Sequence, residues 1–332
     1  MEKTTRSTSS QTEMPRREWT REEIETVIGR IIKWVTIVFF AFVTIFPFYW
    51  MLNLSVRPEA DILINPTKLY PSAEDLQTTF QPVGCWLRYG TEDLDENPNL
   101  PEVCVNSFGR SSLTIVMVRQ GFPPFIWNSA ILAVSTVALT LLLAIPAAYA
   151  ITRLQFGGRN ALSAGILLIY MFPAIVLAIP LFVVFTMTGL RGSIFGLILV
   201  YMSGTLPVAL YMLRSYFITI PRELEEAALI DGCTRVSTIW RVVIPLAAPA
   251  IASVALYTFM IAWNEFLYAF LFLVQDPDRW TLPLGLQRLN TQEVPITALM
   301  AGSLIVSVPI IILYFFFERF LTQGLTAGAV KG

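Results

Sequence analysis

The sequence predicts an all-α membrane protein with six spanning helices, and three observations carry that expectation. Hydrophobic residues make up 55% of the 332-residue chain and charged residues only 14%, with a mean hydropathy of +0.62. Soluble domains carry about 25% charged residues. Six windows of 22 residues or more contain no Asp, Glu, Lys or Arg, and about 20 apolar residues cross a bilayer. Each window is apolar all round, without the alternation of a strand. One soluble core could not bury that much apolar surface, which excludes an ordinary cytosolic enzyme. There is no histidine, so His triads, His metal sites and His proton relays are excluded. A net charge of −1 leaves no nucleic-acid footprint. The three cysteines, Cys85, Cys104 and Cys233, are too scattered for a zinc site, and no metal site is expected.

Taken in order, residues 1–30 form a polar N-terminal tail and an amphipathic helix. Thr20 and Glu23 are placed as a reciprocal helix cap, with Trp19 and Ile24 as the apolar staple beside it. Ile24, Val27, Ile28, Ile31 and Ile32 then recur at helical spacing. That stretch lies on the inner membrane face or extends the first span inward. The first span covers 31–54. A loop or small cap follows over 55–124, with nine acidic and five basic residues. Five more spans, over 125–151, 162–188, 194–213, 249–274 and 296–321, make a five-helix core, 125–321. Residues 322–332 are a C-terminal tail. Pro173 and Pro180 are expected to kink the third span. With the N-terminus inside, fifteen basic residues fall on inner segments and eight on outer ones. The positive-inside rule therefore places both termini in the cytoplasm and the 55–124 loop outside. Cys85 and Cys104 then share the oxidising side, where a disulfide between them is one of two open outcomes.

The inner segment 214–248 is neither a span nor an ordinary loop. Pro221 suits a helix start, and Glu223, Glu225 and Glu226 favour the positive end of the helix dipole. Gly232 can end that helix in the left-handed conformation, and Thr234 can cap a second one running to Pro245. The small Ala227 and Ala228 allow another protein to approach closely, and Glu226 offers a charged contact there.

Glu226-Ala227-Ala228, three residues, Gly232 and then Val242-x-Ile244-Pro245 resemble the EAA loop of bacterial ABC importer permeases, with mild Val and Ile replacements. Trp263-Asn264-Glu265 resembles a segment of sugar importers, and the tail from Gly324 to Gly332 resembles the C-terminus of maltose-transporter-like permeases. The resemblance implies a type I ABC importer permease fold with six transmembrane helices and a cytoplasmic coupling helix in the bacterial inner membrane. It implies half of a sugar pathway working by alternating access. The implied partners are two ATP-binding subunits, a homologous permease forming a heterodimer, and an external solute-binding protein. ATP and Mg would belong to the ATPase, because this chain has no phosphate-binding loop, and no cofactor or catalytic residue is expected here. The implied coupling residues are Glu226, Ala227, Ala228, Asp231 and Gly232. Gly324, Thr326 and Gly328 would reach the ATPase dimer. Asn264 and Glu265 are the candidate residues of the substrate pathway, since a carboxylate in a span is a functional hypothesis by default; a structural role is the alternative for each. A permease for another solute, such as a polyol, glycerol phosphate or amino acid, is the second reading of the chain. A stand-alone secondary transporter is the third.

Overall fold

The computed structural model describes residues 21–89, 111–291 and 293–326, and they fall into two units divided after Trp50. Thr20, Trp19, Cys104 and Gly328 therefore lie outside the described residues. In the first unit, helix α1 (Arg21–Val56) starts and runs without interruption past Pro47. The amphipathic stretch and the first span are thus one helix, since nothing between Ile24 and Leu54 breaks the helical pattern. Its side chains from Val27 to Tyr49 are exposed, as apolar residues facing lipid or a partner would be.

The second unit opens with the last turn of α1, then α2 (Glu59–Ile64) and α3 (Ala73–Tyr89). A buried charge cluster holds this stretch together. The Arg57 side chain is fully buried and donates to Asp61 at 2.8 Å and to the carbonyls of Asn65 at 2.7 Å and Lys68 at 3.1 Å. Lys68 bridges Asp61 at 3.1 Å and Asp75 at 2.8 Å. The hydrogen bond from Asn65, then that from Arg57, draws the Asp61 carboxyl down to about 2, so the cluster stays charged across the neutral range. Thr79 donates to the Val56 carbonyl, and Ser111 to that of Thr79, stitching α3 to what precedes and follows it. Cys85 is disulfide-bonded.

The helices of the bundle and its connections follow. They are α4 (Phe122–Arg153), α5 (Arg159–Tyr170), α6 (Ala174–Met187), α7 (Ile194–Phe217), α8 (Arg222–Ile230) and α9 (Arg235–Leu246). Then come α10 (Ala248–Asn264), α11 (Leu267–Leu273), α12 (Leu282–Arg288) and α13 (Ile296–Thr326). Among the described residues, α1, α4, α7 and α13 are unbroken helices long enough to cross a membrane. A fifth such span is formed if α9 and α10, bent by 79°, are taken together. The expected count of six spans is not confirmed by length and composition, the third segment being divided into shorter apolar helices. The third segment is two shorter helices, ending at Tyr170 and resuming at Ala174, because Pro173 lacks an amide hydrogen and a residue before proline is disfavoured in helix. The fifth breaks at Glu265, whose backbone is extended. The last helix continues five residues beyond its expected end, to Thr326.

Helices α4, α7, α10 and α13 pack together. Ala133, Ala144, Ala148, Ala209 and Ala298 are fully buried at their contacts, and small residues of this kind let membrane helices approach closely. One apolar cluster gathers Phe125, Leu197, Trp263 and Leu282, and another Tyr149, Leu213, Phe217 and Val243. Thr140 and Thr205 hydrogen-bond each other at 3.0 Å between α4 and α7. Trp263 donates its indole hydrogen to the Val306 carbonyl, fixing α10 to α13. A Cβ on Gly285 would stand 2.4 Å from the Phe125 ring, so only glycine lets α12 lie this close to α4.

Candidate functional site

Helix α8 is built from its ends inward. Pro221 precedes it as the cap residue in an extended conformation, one position earlier than the first-turn site its sequence suggests. At the other end Gly232 has φ +87°. The Cys233 amide reaches the Ala228 carbonyl and the Gly232 amide that of Leu229, the paired bonds of a left-handed helix stop. The Thr234 hydroxyl then accepts from the Ser237 amide and starts α9. Tyr216 donates to the Leu246 carbonyl, tying the return of this hairpin to α7.

The hairpin is bolted to the bundle by a residue that sequence reasoning missed. Glu225 and Ala228, one turn apart, face inward. The Glu225 carboxylate accepts from Arg153 Nε at 2.7 Å and from the Tyr149 hydroxyl at 3.1 Å. Arg153 also donates to the Ile220 carbonyl at 2.8 Å. The last turn of α4 is thereby bonded to both the start and the middle of the α8 segment. Of the expected coupling residues, Glu226, Ala227, Asp231 and Gly232 are exposed, while Ala228 is buried against its own chain. The outward face is more apolar than the motif suggests. Leu229, Val236 and Trp240 are exposed on it, and Ile230 retains 85% of its surface.

The second candidate lies where two spans break. The Glu265 oxygens accept the amides of Tyr268 at 2.9 Å and Ala269 at 3.1 Å, capping α11. The Tyr268 hydroxyl crosses to the Ala174 carbonyl at 3.1 Å, joining the break in the fifth segment to the break in the third. Around this junction lies a cavity of about 410 Å³, lined by Glu265, Tyr201, Ser203, Gly204, Phe172 and Tyr268 among others. The Tyr201 hydroxyl is buried beside Glu265 without a well-formed hydrogen bond. Asn264 does not share this cavity. It bonds back to the Met260 carbonyl and lines another, of about 400 Å³, with Phe266, Gln287 and Asn290. Gly324 and Thr326 lie in the last turns of α13, and Cys233 is a free thiol. Among the described residues no His, Cys, Asp and Glu cluster could hold a metal.

Residues 140–326 match the family described as binding-protein-dependent transport system inner membrane component. The chain is 42% identical over 212 residues to the inner membrane ABC transporter permease protein YcjP of Escherichia coli, covering 64% of this chain and 75% of that one. It is 32% identical over 310 residues to the trehalose/maltose transport system permease protein MalG of Thermococcus litoralis, covering 93% and 99%. A crystal structure of a bacterial ABC transporter involved in the import of the acidic polysaccharide alginate has the same fold. Its TM-score is 0.67 at 21% identity, over 92% of this chain and 100% of that one. The chain belongs to the family of binding-protein-dependent transport system inner membrane components, and it is a multi-pass ABC importer permease of the inner membrane rather than an enzyme.

Proposed function

We propose that this chain forms half of the translocation pathway of an ATP-driven sugar importer and that α8 is its coupling helix. The observation that carries the reading is the α8–α9 hairpin. It is fastened to α4 through Glu225 and Arg153 and presents an unpartnered apolar face around Ile230. A rigid element with an apolar outer face can transmit the movement of a docked subunit to the spans. The sugar assignment is supported by likeness to the trehalose/maltose permease over nearly the whole chain. In this reading two ATPase subunits dock below, one on each permease, and hold the ATP and Mg. A homologous permease completes the pathway, and a solute-binding protein delivers the sugar outside. Both termini are cytoplasmic, a reading supported by the excess of basic residues on inner segments. The disulfide at Cys85 fits the oxidising side, with Cys104 as the proposed partner.

Ile230→Asp tests the docking. The side chain is exposed, so the fold should be kept, while a carboxylate placed in an apolar interface should weaken ATPase binding about tenfold or more. Recovery of ATPase with the purified permease pair is the measurement, and unchanged recovery would remove this face from the interface.

We place the substrate path at the cavity beside Glu265, because hydroxyl and carboxylate groups converge there where two helices break. Gly204→Leu tests it. A Cβ on Gly204 meets no atom within 4 Å, and leucine is the better helix former by about 1 kcal/mol. The permease should therefore assemble normally while sugar uptake in proteoliposomes falls about tenfold or more as the cavity fills. Normal uptake would move the path elsewhere.

A further inference from the structure

Where α4 ends and α8 begins, a polar cavity of about 420 Å³ is lined by Arg153, Arg159 and Arg222, with Thr152, Thr219 and Glu223. Three arginines and one glutamate are thus among its lining residues. Arg153 is already paired with Glu225. Arg159 reaches only the Thr152 carbonyl, at 3.4 Å, and neither it nor Arg222 has a carboxylate partner among the described residues. The start of α8, a nine-residue helix, adds the positive end of its dipole. Beside it, between α4, α5 and α7, Ile151, Ser163 and Arg214 line a smaller cavity, and the Nε of Arg214 is buried without a partner. Phe156, Leu162, Tyr211 and Ile218 nearby are large and exposed. Arg153, Arg159 and Arg214 each end a charge-free window of the sequence, the depth at which hydrocarbon gives way to headgroups.

We infer that this cavity binds the phosphodiester of an anionic phospholipid, with the acyl chains lying over the neighbouring apolar side chains. An acidic segment of a partner protein would match the charge but not the exposed apolar flank at headgroup depth. Basic pockets between helices on the cytoplasmic side are suited to such headgroups. Because Arg153 both lines the cavity and holds Glu225, the lipid would bear on the anchor of the coupling helix. The inference rests on the reading that the α8 side is cytoplasmic.

The test uses the permease pair, alone and assembled with its ATPase, in nanodiscs of phosphatidylcholine with or without phosphatidylglycerol. Lipid retained on the complex is read by native mass spectrometry, and its melting temperature is followed in parallel. Phosphatidylglycerol should be retained by the wild type and raise its melting temperature. Retention by R159Q/R222Q should be about thirtyfold weaker, at about 1 kcal/mol for each basic residue. R159K/R222K, which keeps the charge, should retain it, as should R222Q partly, since Arg222 is exposed. R191Q is the control, its guanidinium lying 4.8 Å from the Phe182 ring at the other end of the span. Equal retention by R159Q/R222Q would overturn the inference. So would the same temperature shift from inorganic phosphate alone, or retention that disappears whenever the ATPase is bound. Failure of the wild type to hold the ATPase would instead overturn the coupling reading, since lipid retention is read on the permease itself.

Discussion

Substituting Glu225 by alanine is expected to leave the permease in the membrane while separating ATP hydrolysis from sugar uptake. Both side chains of the Arg153–Glu225 pair are less than a tenth exposed, at 9% and 8%. Removing one member of a buried pair leaves the other charged and uncompensated, which costs about 3–5 kcal/mol. Here Tyr149 loses its acceptor as well. Helix α8 has nine residues, too few to stand alone in water. Pro221 and Gly232 bound it with non-helical backbone, so an unfastened α8 can pivot at both ends. An ATPase docked on its outer face would still turn over, but its movement would be taken up by the pivot. At about 3 kcal/mol the equilibrium constant for the fastened arrangement falls roughly hundredfold, and uptake per ATP should fall as the unfastened state becomes populated. Simultaneous measurement of uptake and phosphate release in proteoliposomes checks this. Arg153→Met combined with Glu225→Leu should recover much of the stability lost in the single variant, because an apolar pair can replace a buried ionic one. An unchanged ratio of sugar to ATP in Glu225→Ala would show that the pair is not part of the coupling path.

Local patterns carried much of the architecture. Gly232 and Thr234 act at positions their own chemistry dictates, because a left-handed stop and a hydroxyl cap need only near neighbours. Pro173 breaks its segment for an equally local reason. The break at Glu265 has no proline beside it and arises from a side chain folding onto the amides ahead of it, which periodicity does not reveal. Glu225 was hidden among three acids at a helix start. Which of them turns inward depends on Arg153, 72 residues earlier. Glu226, the acid of the recognisable motif, is exposed, as is Glu223. In the same way Asn264 and Glu265 are adjacent in sequence but line different cavities, because the helix ends between them. Arg57 looked like one of five basic residues in a polar loop, whereas its side chain is the largest fully buried one among the described residues.

That burial makes Arg57→Ala the second large effect expected, and it should be confined to one region. The guanidinium joins the end of α1 to α2 and to the turn before α3 through Asp61, Asn65 and Lys68. Without it, three carbonyls lose their charged donor, and Lys68 is left as the cation serving both Asp61 and Asp75. A cost of about 3–5 kcal/mol is expected for stripping one partner from such a cluster. Lysine should recover only part of it, since an ammonium cannot reproduce the fork of a guanidinium. The bundle of α4, α7, α10 and α13 has its own apolar clusters. Opening should therefore be local, with amide hydrogen exchange in residues 59–89 accelerating by about a hundredfold or more while α4 and α7 keep their protection. Uniform acceleration across both regions would mean that the cluster supports the whole permease. No acceleration would mean that the disulfide at Cys85 and the Thr79 and Ser111 bonds already hold the segment without it.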